Sequence, residues 1–325
     1  MKVNIEKVLI DKAKKLNKTI IFPEAAFSER ILNAGQQIAL EGIANVVFVG
    51  AQALIQSNLK PELVNKITIV DPQNCPLSEK LSNIIYEKRK SKGLSLEEAQ
   101  TLCQDPIYFA CAYVCAGLAD GIVCGAEVST AKTLKPALQL IKSKTGLVSS
   151  YFLFSGENKV TDEVFMMGDC AVVEDPTVEQ QAQIANLMLS ECKRFNLFEP
   201  RFAFLSYSTC GSAKSNSTTK VRQAYELFSN QNPNIHAVGE VQFDASIKQS
   251  IAKTKKVAFT KPANMFVMPN IDAGNICYKA IQYFGGLTAI GPITMGFNKP
   301  VNDLSRGCTV QDIILVTAIT ALQCE

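Results

Sequence analysis

The sequence predicts an α/β protein of two domains, each with a mostly parallel sheet. Three observations carry that reading. From Thr19 to Lys144, short apolar runs alternate with longer amphipathic ones, the rhythm of strands joined by crossover helices. The same rhythm restarts near Lys144–Gly146. A chain of 325 residues also suits two ordinary hydrophobic cores better than one large one.

Taken in order, TIIFPE (19–24) reads as a buried strand, followed by the amphipathic helix AFSERILNAGQQIALEG with Ile31, Leu32, Ala34 and Ile38 inward. ANVVFVG is a strand, AQALIQSN a helix and KITIVDP a third strand. PLSEKLSNIIYEKRKSKG is a helix with a polar outer face that stops at Gly93. Ser95 and Glu98 have the spacing of a capping box for SLEEAQTLCQD, and Asp105-Pro106 opens the apolar helix IYFACAYVCAGLA. DGIVCGA is a strand and STAKTLKPALQLIKSK a helix. Beyond Gly146, LVSSYFLFSG is a strand, ENKVTDE a polar turn and VFMMGDCAVVEDP a strand ended by Pro176. The helix TVEQQAQIANLMLSECKRFN, the strand RFAFLSYST and the helix TTKVRQAYELFSNQ follow. AVGEVQFD, the helix ASIKQSIAKT, KVAFT, NMFVMP and the helix DAGNICYKAIQYFG complete the second unit. The strand TAIGPITMGF leads to the loop NKPVNDLSRGCTVQD and the apolar helix IILVTAITALQCE. A lone strand and helix cannot bury each other. We therefore expect a first domain of residues 1–145 plus 294–325 and an inserted second domain of residues 146–293.

Composition narrows the chemistry. Hydrophobic residues make up 47% of the chain, charged residues 19%, and the net charge is +3, so nothing asks for a nucleic acid partner. The basic cluster Lys253, Lys255 and Lys256 is explained by a solvated helix end. No window approaches the ~18 apolar residues of a membrane span, and the charged, amphipathic N-terminal stretch differs from a signal peptide. A cytoplasmic protein is expected. The eleven cysteines are odd in number, scattered, and without a CxxC pair, which favours free thiols buried as small hydrophobes. His236 is the single histidine, in a strand-like run, so acid–base work is expected from carboxylates, lysine, tyrosine or the substrate. No metal site is expected.

Four segments could contact a small anion. Asn302, Asp303, Ser305, Arg306 and Asp312 bring amide, hydroxyl, guanidinium and carboxylate groups to one strand–loop–helix corner. Arg306 in such a loop needs an anion, either Asp303 or a substrate. Asp312 is also three residues after Thr309, a capping-box spacing that would make it a helix cap rather than a base. The loop CGSAKSNS with Thr209, Gly211 and Ser212 precedes a helix and could hold a phosphate, or could simply cap that helix. It does not match a Walker motif, and no GxGxxG follows a strand. Ser129 and Thr130 read as helix caps that could add hydroxyl donors to a ligand, with Lys135 adding charge one or two turns on. Arg89 sits in a basic helix end.

PVNDLSRG, AGNICYKAIQ, GPITMGF, DCAVVEDP, FLSYSTCGSA and KSKGLSLEEA resemble the phosphate acetyltransferase (phosphotransacetylase) family, from about Thr19 to the C-terminus. The resemblance implies two α/β domains of the isocitrate/isopropylmalate dehydrogenase-like type, a cleft between them and a homodimer. It implies reversible transfer of acetyl between CoA and phosphate in a ternary complex, with CoA and acetyl phosphate as substrates and no cofactor. Carried over by residue, Asp312 is the base that deprotonates the CoA thiol, Arg306 stabilises developing negative charge and Ser305 hydrogen-bonds the reacting group. Arg89 meets the phosphate end or CoA. Cys170 lies near the cleft without acting as a nucleophile. Two departures stand out: Lys135 replaces the arginine of the usual T-x-R-P, and FPEAAFSER lacks the glycine and aspartate of PEG-x-D-x-R while keeping Glu24, Glu29 and Arg30. The competing expectations are a phosphate butyryltransferase, a metal- and NAD(P)-dependent dehydrogenase on a similar fold, and a non-catalytic binding descendant.

Overall fold

A computed structural model describes residues 4–156, 164–258 and 260–325. The chain forms α1 (Ile5–Lys14), β1 (Thr19–Phe22), α2 (Glu29–Glu41), β2 (Asn45–Val49), α3 (Gln52–Gln56), β3 (Thr68–Val70) and α4 (Ser78–Arg89). Then come α5 (Leu96–Leu102), α6 (Pro106–Cys115), β4 (Gly121–Cys124) and α7 (Thr130–Leu140). The middle of the chain gives β5 (Ser149–Ser155), β6 (Phe165–Gly168), α8 (Val178–Phe195), β7 (Arg201–Leu205), α9 (Asn216–Gln231), β8 (His236–Val241) and α10 (Phe243–Ile247). It continues through α11 (Gln249–Thr254), β9 (Met265–Val267), α12 (Ile271–Gly285) and β10 (Thr288–Met295), before β11 (Val301–Asp303) and α13 (Val310–Gln323) close the chain. Two compact units result, one from the chain up to Gly146 with Phe297–Glu325, the other from Leu147–Gly296.

The first unit holds a five-stranded sheet in the order β11-β4-β1-β2-β3, with every pair parallel. Ile20, Ile21 and Phe22 of β1 are all fully buried, as expected of a strand covered on both faces. Because the strands are parallel, the segments after β1, β4 and β11 all leave from the same carboxyl edge, where open α/β sheets place their sites. The helix α13 is apolar almost all round and buried from Ile313 to Gln323, packed against α1, α2 and β4. Its β-branched residues are poor helix formers. A Thr309–Asp312 capping box starts it, and the Thr317 and Thr320 hydroxyls donate to the carbonyls four residues back.

The second unit holds a six-stranded sheet, β10-β5-β6-β9-β7-β8. The β10–β5 and β5–β6 pairs are antiparallel and the remaining three parallel. Its core is aromatic, with Phe154 stacked on Phe165 at 4.7 Å and Phe152 on Tyr278 at 4.0 Å between ring centres.

The mixed α/β architecture with mostly parallel sheets is the expected one, but several segments differ from their reading. In VFMMGDCAVVEDP only Phe165–Gly168 is strand. The chain then folds around the buried Asp169 carboxylate, which accepts N–H groups from Ala171, Val172 and Val173 and the hydroxyls of Ser149 and Ser150. ASIKQSIAKT forms parts of two short helices that meet at Lys248. The described part of KVAFT is not strand, and the polar turn expected for ENKVTDE lies outside the described residues. PVND, read as loop, contains β11: Asn302 and Asp303 pair with Val123 and Cys124 and are buried.

Candidate active site

The corner after β11 divides sharply between buried and exposed residues. Asn302 is fully buried and its amide donates to Thr320 Oγ1 and Gln323 Oε1 of α13, each at 2.8 Å, so it ties strand to helix. Three and four residues on, Ser305 and Arg306 are exposed. Ser305 accepts the Gly307 N–H at 3.3 Å and its carbonyl accepts the Cys308 N–H, which tightens the turn. The Arg306 guanidinium has no hydrogen bond or ion pair among the described residues. Asp303, its alternative partner from the sequence, faces into the fold instead and does not pair with it.

Asp312 sits one turn into this corner, at the third position of α13. Its Oδ2 accepts both the backbone N–H and the hydroxyl of Thr309 at 2.8 Å, and its own N–H donates back to Thr309 Oγ1 at 3.2 Å. The capping box is therefore formed. It occupies one carboxylate oxygen. Oδ1 has no hydrogen-bond partner among the described residues, so capping leaves an acceptor for a substrate proton.

Beneath this corner lies a second loop, after β4, shaped by Glu24. The Glu24 side chain is fully buried and accepts four backbone N–H groups: Gly125 and Ala126 on Oε2 at 2.7 and 2.9 Å, Glu127 and Val128 on Oε1 at 2.9 and 3.0 Å. A buried carboxylate is costly unless its lone pairs are met, and backbone donors meet them here. Gly125, at φ +100°, must be glycine: a Cβ would strike Asp303 Oδ1 and the Leu304 N–H. Arg30, on the first turn of α2, reaches both loops. Its Nη1 donates to the carbonyls of Arg306 at 2.9 Å and Cys308 at 2.7 Å, and Nη2 to the Ala126 carbonyl at 2.7 Å and Glu127 Oε1 at 2.9 Å. The Ser28 hydroxyl, at the N-cap of α2, also donates to Glu127 Oε1, at 2.8 Å. Bonds from Arg30 and Ser28 hold the Glu127 carboxyl below the usual carboxylate range.

Ser129 is the N-cap of α7 by its backbone, but its hydroxyl makes no capping bond, contrary to the sequence reading. Ser129 and Thr130 are exposed at the positive end of this helix, and Lys135 is exposed further along it. Behind them Asp303 is buried, with Oδ1 lacking a hydrogen-bond partner, as does the buried Thr133 hydroxyl oxygen. Burial pushes the Asp303 carboxyl up to about 6, against the pull of the nearby Thr130 and Thr133 hydroxyls and with a further push from Glu24. Arg89 ends α4 partly exposed, near enough to Tyr108 of α6 to favour its phenolate, although burial keeps that phenol raised.

The segment from Thr209 to Ser212 in the second unit has little left to offer a phosphate. Glu240, buried at the end of β8, accepts the Gly211 N–H, the Ser208 hydroxyl and Arg222 Nε, each at 2.8 Å. Thr209 donates its N–H to Ser212 Oγ and its hydroxyl to Gln242, while Ala213 donates its N–H to Ser208 Oγ. Burial pushes the Glu240 carboxyl up, but the Arg222, Gly211 and Ser208 donors together hold it below the usual range. A carboxylate of the protein takes the place that a phosphate would need. Cys170 is buried, and burial followed by the Asp169 charge raises its thiol well above the ordinary value, which makes it a poor nucleophile. The sequence reading passed over Glu127 and kept Glu24 and Arg30 only as remnants of a motif. The available signal was an acidic residue at the end of a fully apolar strand.

Comparison with known proteins places this geometry. The family described as "Phosphate acetyl/butaryl transferase" matches residues 4–321. The chain belongs to that family. A phosphate acetyltransferase of Acetivibrio thermocellus is 41% identical over 98% of this chain and 97% of its own length. One from Helicobacter pylori is 39% identical over 98% of this chain, which spans only 62% of that longer protein. A solved phosphotransacetylase from Streptococcus pyogenes superposes with a TM-score of 0.91 at 38% identity, covering 99% of both chains. Phosphate acetyltransfer is thus the activity that the names of these relatives carry.

Proposed function

We propose that the chain transfers acetyl reversibly between CoA and phosphate, with the chemistry at the β11–α13 corner. The observation that carries this reading is the Arg306 guanidinium, exposed and unpaired among the described residues, six residues before Asp312, whose Oδ1 is also unengaged among them. Asp312 Oδ1 takes the proton of the CoA thiol. The thiolate attacks the carbonyl carbon of acetyl phosphate, Arg306 and Ser305 stabilise the oxyanion and the departing phosphate, and acetyl-CoA leaves with no acyl-enzyme formed.

CoA and phosphate enter as substrates. Ser129, Thr130 and Lys135 at the start of α7, with Arg89, are the proposed contacts for their anionic ends, because those side chains are at least partly exposed. Asn302 and the 209–212 segment are proposed as supports for their own units, since their donors are engaged internally. Among the described residues no helix is long and apolar enough to cross a membrane. All eleven cysteines are free, which suits a reducing, cytoplasmic setting. A homodimer is supported by α12, whose Ile276, Tyr283 and Phe284 are 69%, 81% and 95% exposed.

The deciding experiment follows thiol loss when purified protein is given CoA and acetyl, propionyl or butyryl phosphate. Fastest turnover with acetyl phosphate is expected. Preference for butyryl phosphate would favour the sister activity, and no turnover with any of the three would leave a non-catalytic binding protein.

A further inference from the structure

We propose that Arg30 is the positioning residue of the catalytic corner, a crosspiece that fixes the backbone from which the Arg306 side chain projects. The inference rests on the reading of Arg306 as the group that receives negative charge during acetyl transfer.

The two arginines have opposite circumstances. Arg306 is exposed, and its guanidinium has no partner among the described residues. Arg30 meets acceptors from both loops at once: the carbonyls of Arg306 and Cys308 on one nitrogen, the Ala126 carbonyl and the Glu127 carboxylate on the other. All four contacts lie between 2.7 and 2.9 Å, so Arg30 has no terminal donor left for a substrate. A planar fork suits this task because its donors are pre-set at fixed angles, whereas a lysine ammonium is a single point on a flexible stem.

The crosspiece is itself anchored. Ser28 and Arg30 both bond Glu127, and Glu24 moulds the segment from Gly125 to Val128 through four backbone N–H groups. A continuous run of hydrogen bonds thus leads from the buried end of β1, through the loop after β4, to the carbonyl of the catalytic arginine. The Glu127 bond is the largest influence on the Arg30 guanidinium, raising its already high value against the opposing effect of burial. Without the crosspiece the loop keeps its local turn, the Leu304 N–H bond to the Cys124 carbonyl and the capping box at Thr309, but the Arg306 carbonyl loses its tie to α2, and a guanidinium displaced by about 1 Å from its acceptor can cost on the order of 10²-fold in rate.

The test is a double-mutant cycle read by steady-state kinetics, with circular dichroism and thermal melting to show that each variant is folded. Arg30→Gln is expected to lower kcat by roughly 10- to 100-fold with KM for CoA and acetyl phosphate nearly unchanged, and Arg30→Lys to recover only part of it. In an Arg306→Ala background the same Arg30→Gln change is expected to have almost no effect, because nothing remains to be positioned. Glu127→Gln keeps the shape and loosens the anchor; it is expected to show a smaller loss with the same disappearance, and it decides the matter if Arg30→Gln fails to fold. Losses that multiply in the Arg306→Ala background, or a rise in KM with kcat intact, would overturn the proposal. A wild-type protein without turnover would instead overturn the reading on which it rests.

Discussion

Two strand-to-helix corners in this molecule look alike as sequence and differ as structure. CGSAKSNST after β7 and DLSRGCT after β11 both offer serine, threonine, glycine and backbone donors at the start of a helix. In the first, Glu240 has already collected a hydroxyl, a backbone N–H and the Arg222 guanidinium, and Thr209 and Ser212 satisfy one another. In the second, the protein holds the backbone from beneath through Arg30 and leaves the Arg306 guanidinium without a partner among the described residues. A site therefore differs from a well-made turn by which groups are left without partners. Polar content alone says little.

Breaking each corner should have opposite signatures. Arg306→Ala and Asp312→Asn are each expected to lower kcat by roughly 10²–10⁴-fold, the usual cost of an electrostatic or acid–base group. Asp312→Asn with near-wild-type rate but a lowered melting temperature would make that carboxylate a cap and nothing more. Glu240→Gln should do the reverse, costing about 1–3 kcal/mol of stability with kcat largely kept, measured by denaturant unfolding beside the rate assay. Its pH signature follows from a lowered carboxyl: the Glu240 contribution is present above the unfolded value of about 4.3 and fades as pH falls through the lower folded value.

Asp303 tests the same contrast from the other side, since it is buried without a full set of partners. A carboxyl raised to about 6 binds more protons folded than unfolded, so stability should fall as pH rises from about 4 through about 6 and level off above. Asp303→Asn should flatten that slope, with a gain of up to about 3 kcal/mol at neutral pH, read as melting temperature against pH. The smallest expected effect belongs to Lys135→Arg, where a restored fork should lower KM for CoA a few-fold. An unchanged KM would mean that the contacts have settled around lysine.

What the sequence disclosed was local. The alternation of strands and helices follows from hydrophobic period, and the capping boxes at Ser95–Glu98 and Thr309–Asp312 follow from spacing; both boxes are formed. What it hid depends on distant residues. Val301–Asp303 is a strand only because β4 lies beside it, so Asn302 read as loop and is buried. DCAVVEDP looked like strand by its apolar content, yet one buried carboxylate winds it into a turn. The donors of residues 208–213 looked available because Glu240, which engages them, follows on a later strand. Ser129 looked like a capping hydroxyl by its position before the helix, yet only its backbone carbonyl engages α7.

The Glu24 mould also ties together stretches that are distant along the chain. The N–H groups it gathers lie 101 to 104 residues further along, and the Arg306 carbonyl lies 276 residues beyond the Arg30 that holds it. The segment that carries β11 and α13 thus docks on a loop whose shape is set by the stretch between β1 and α2 and by the end of β4. The shape of the corner therefore reports closure of long-range contacts in this unit and not the making of a local turn.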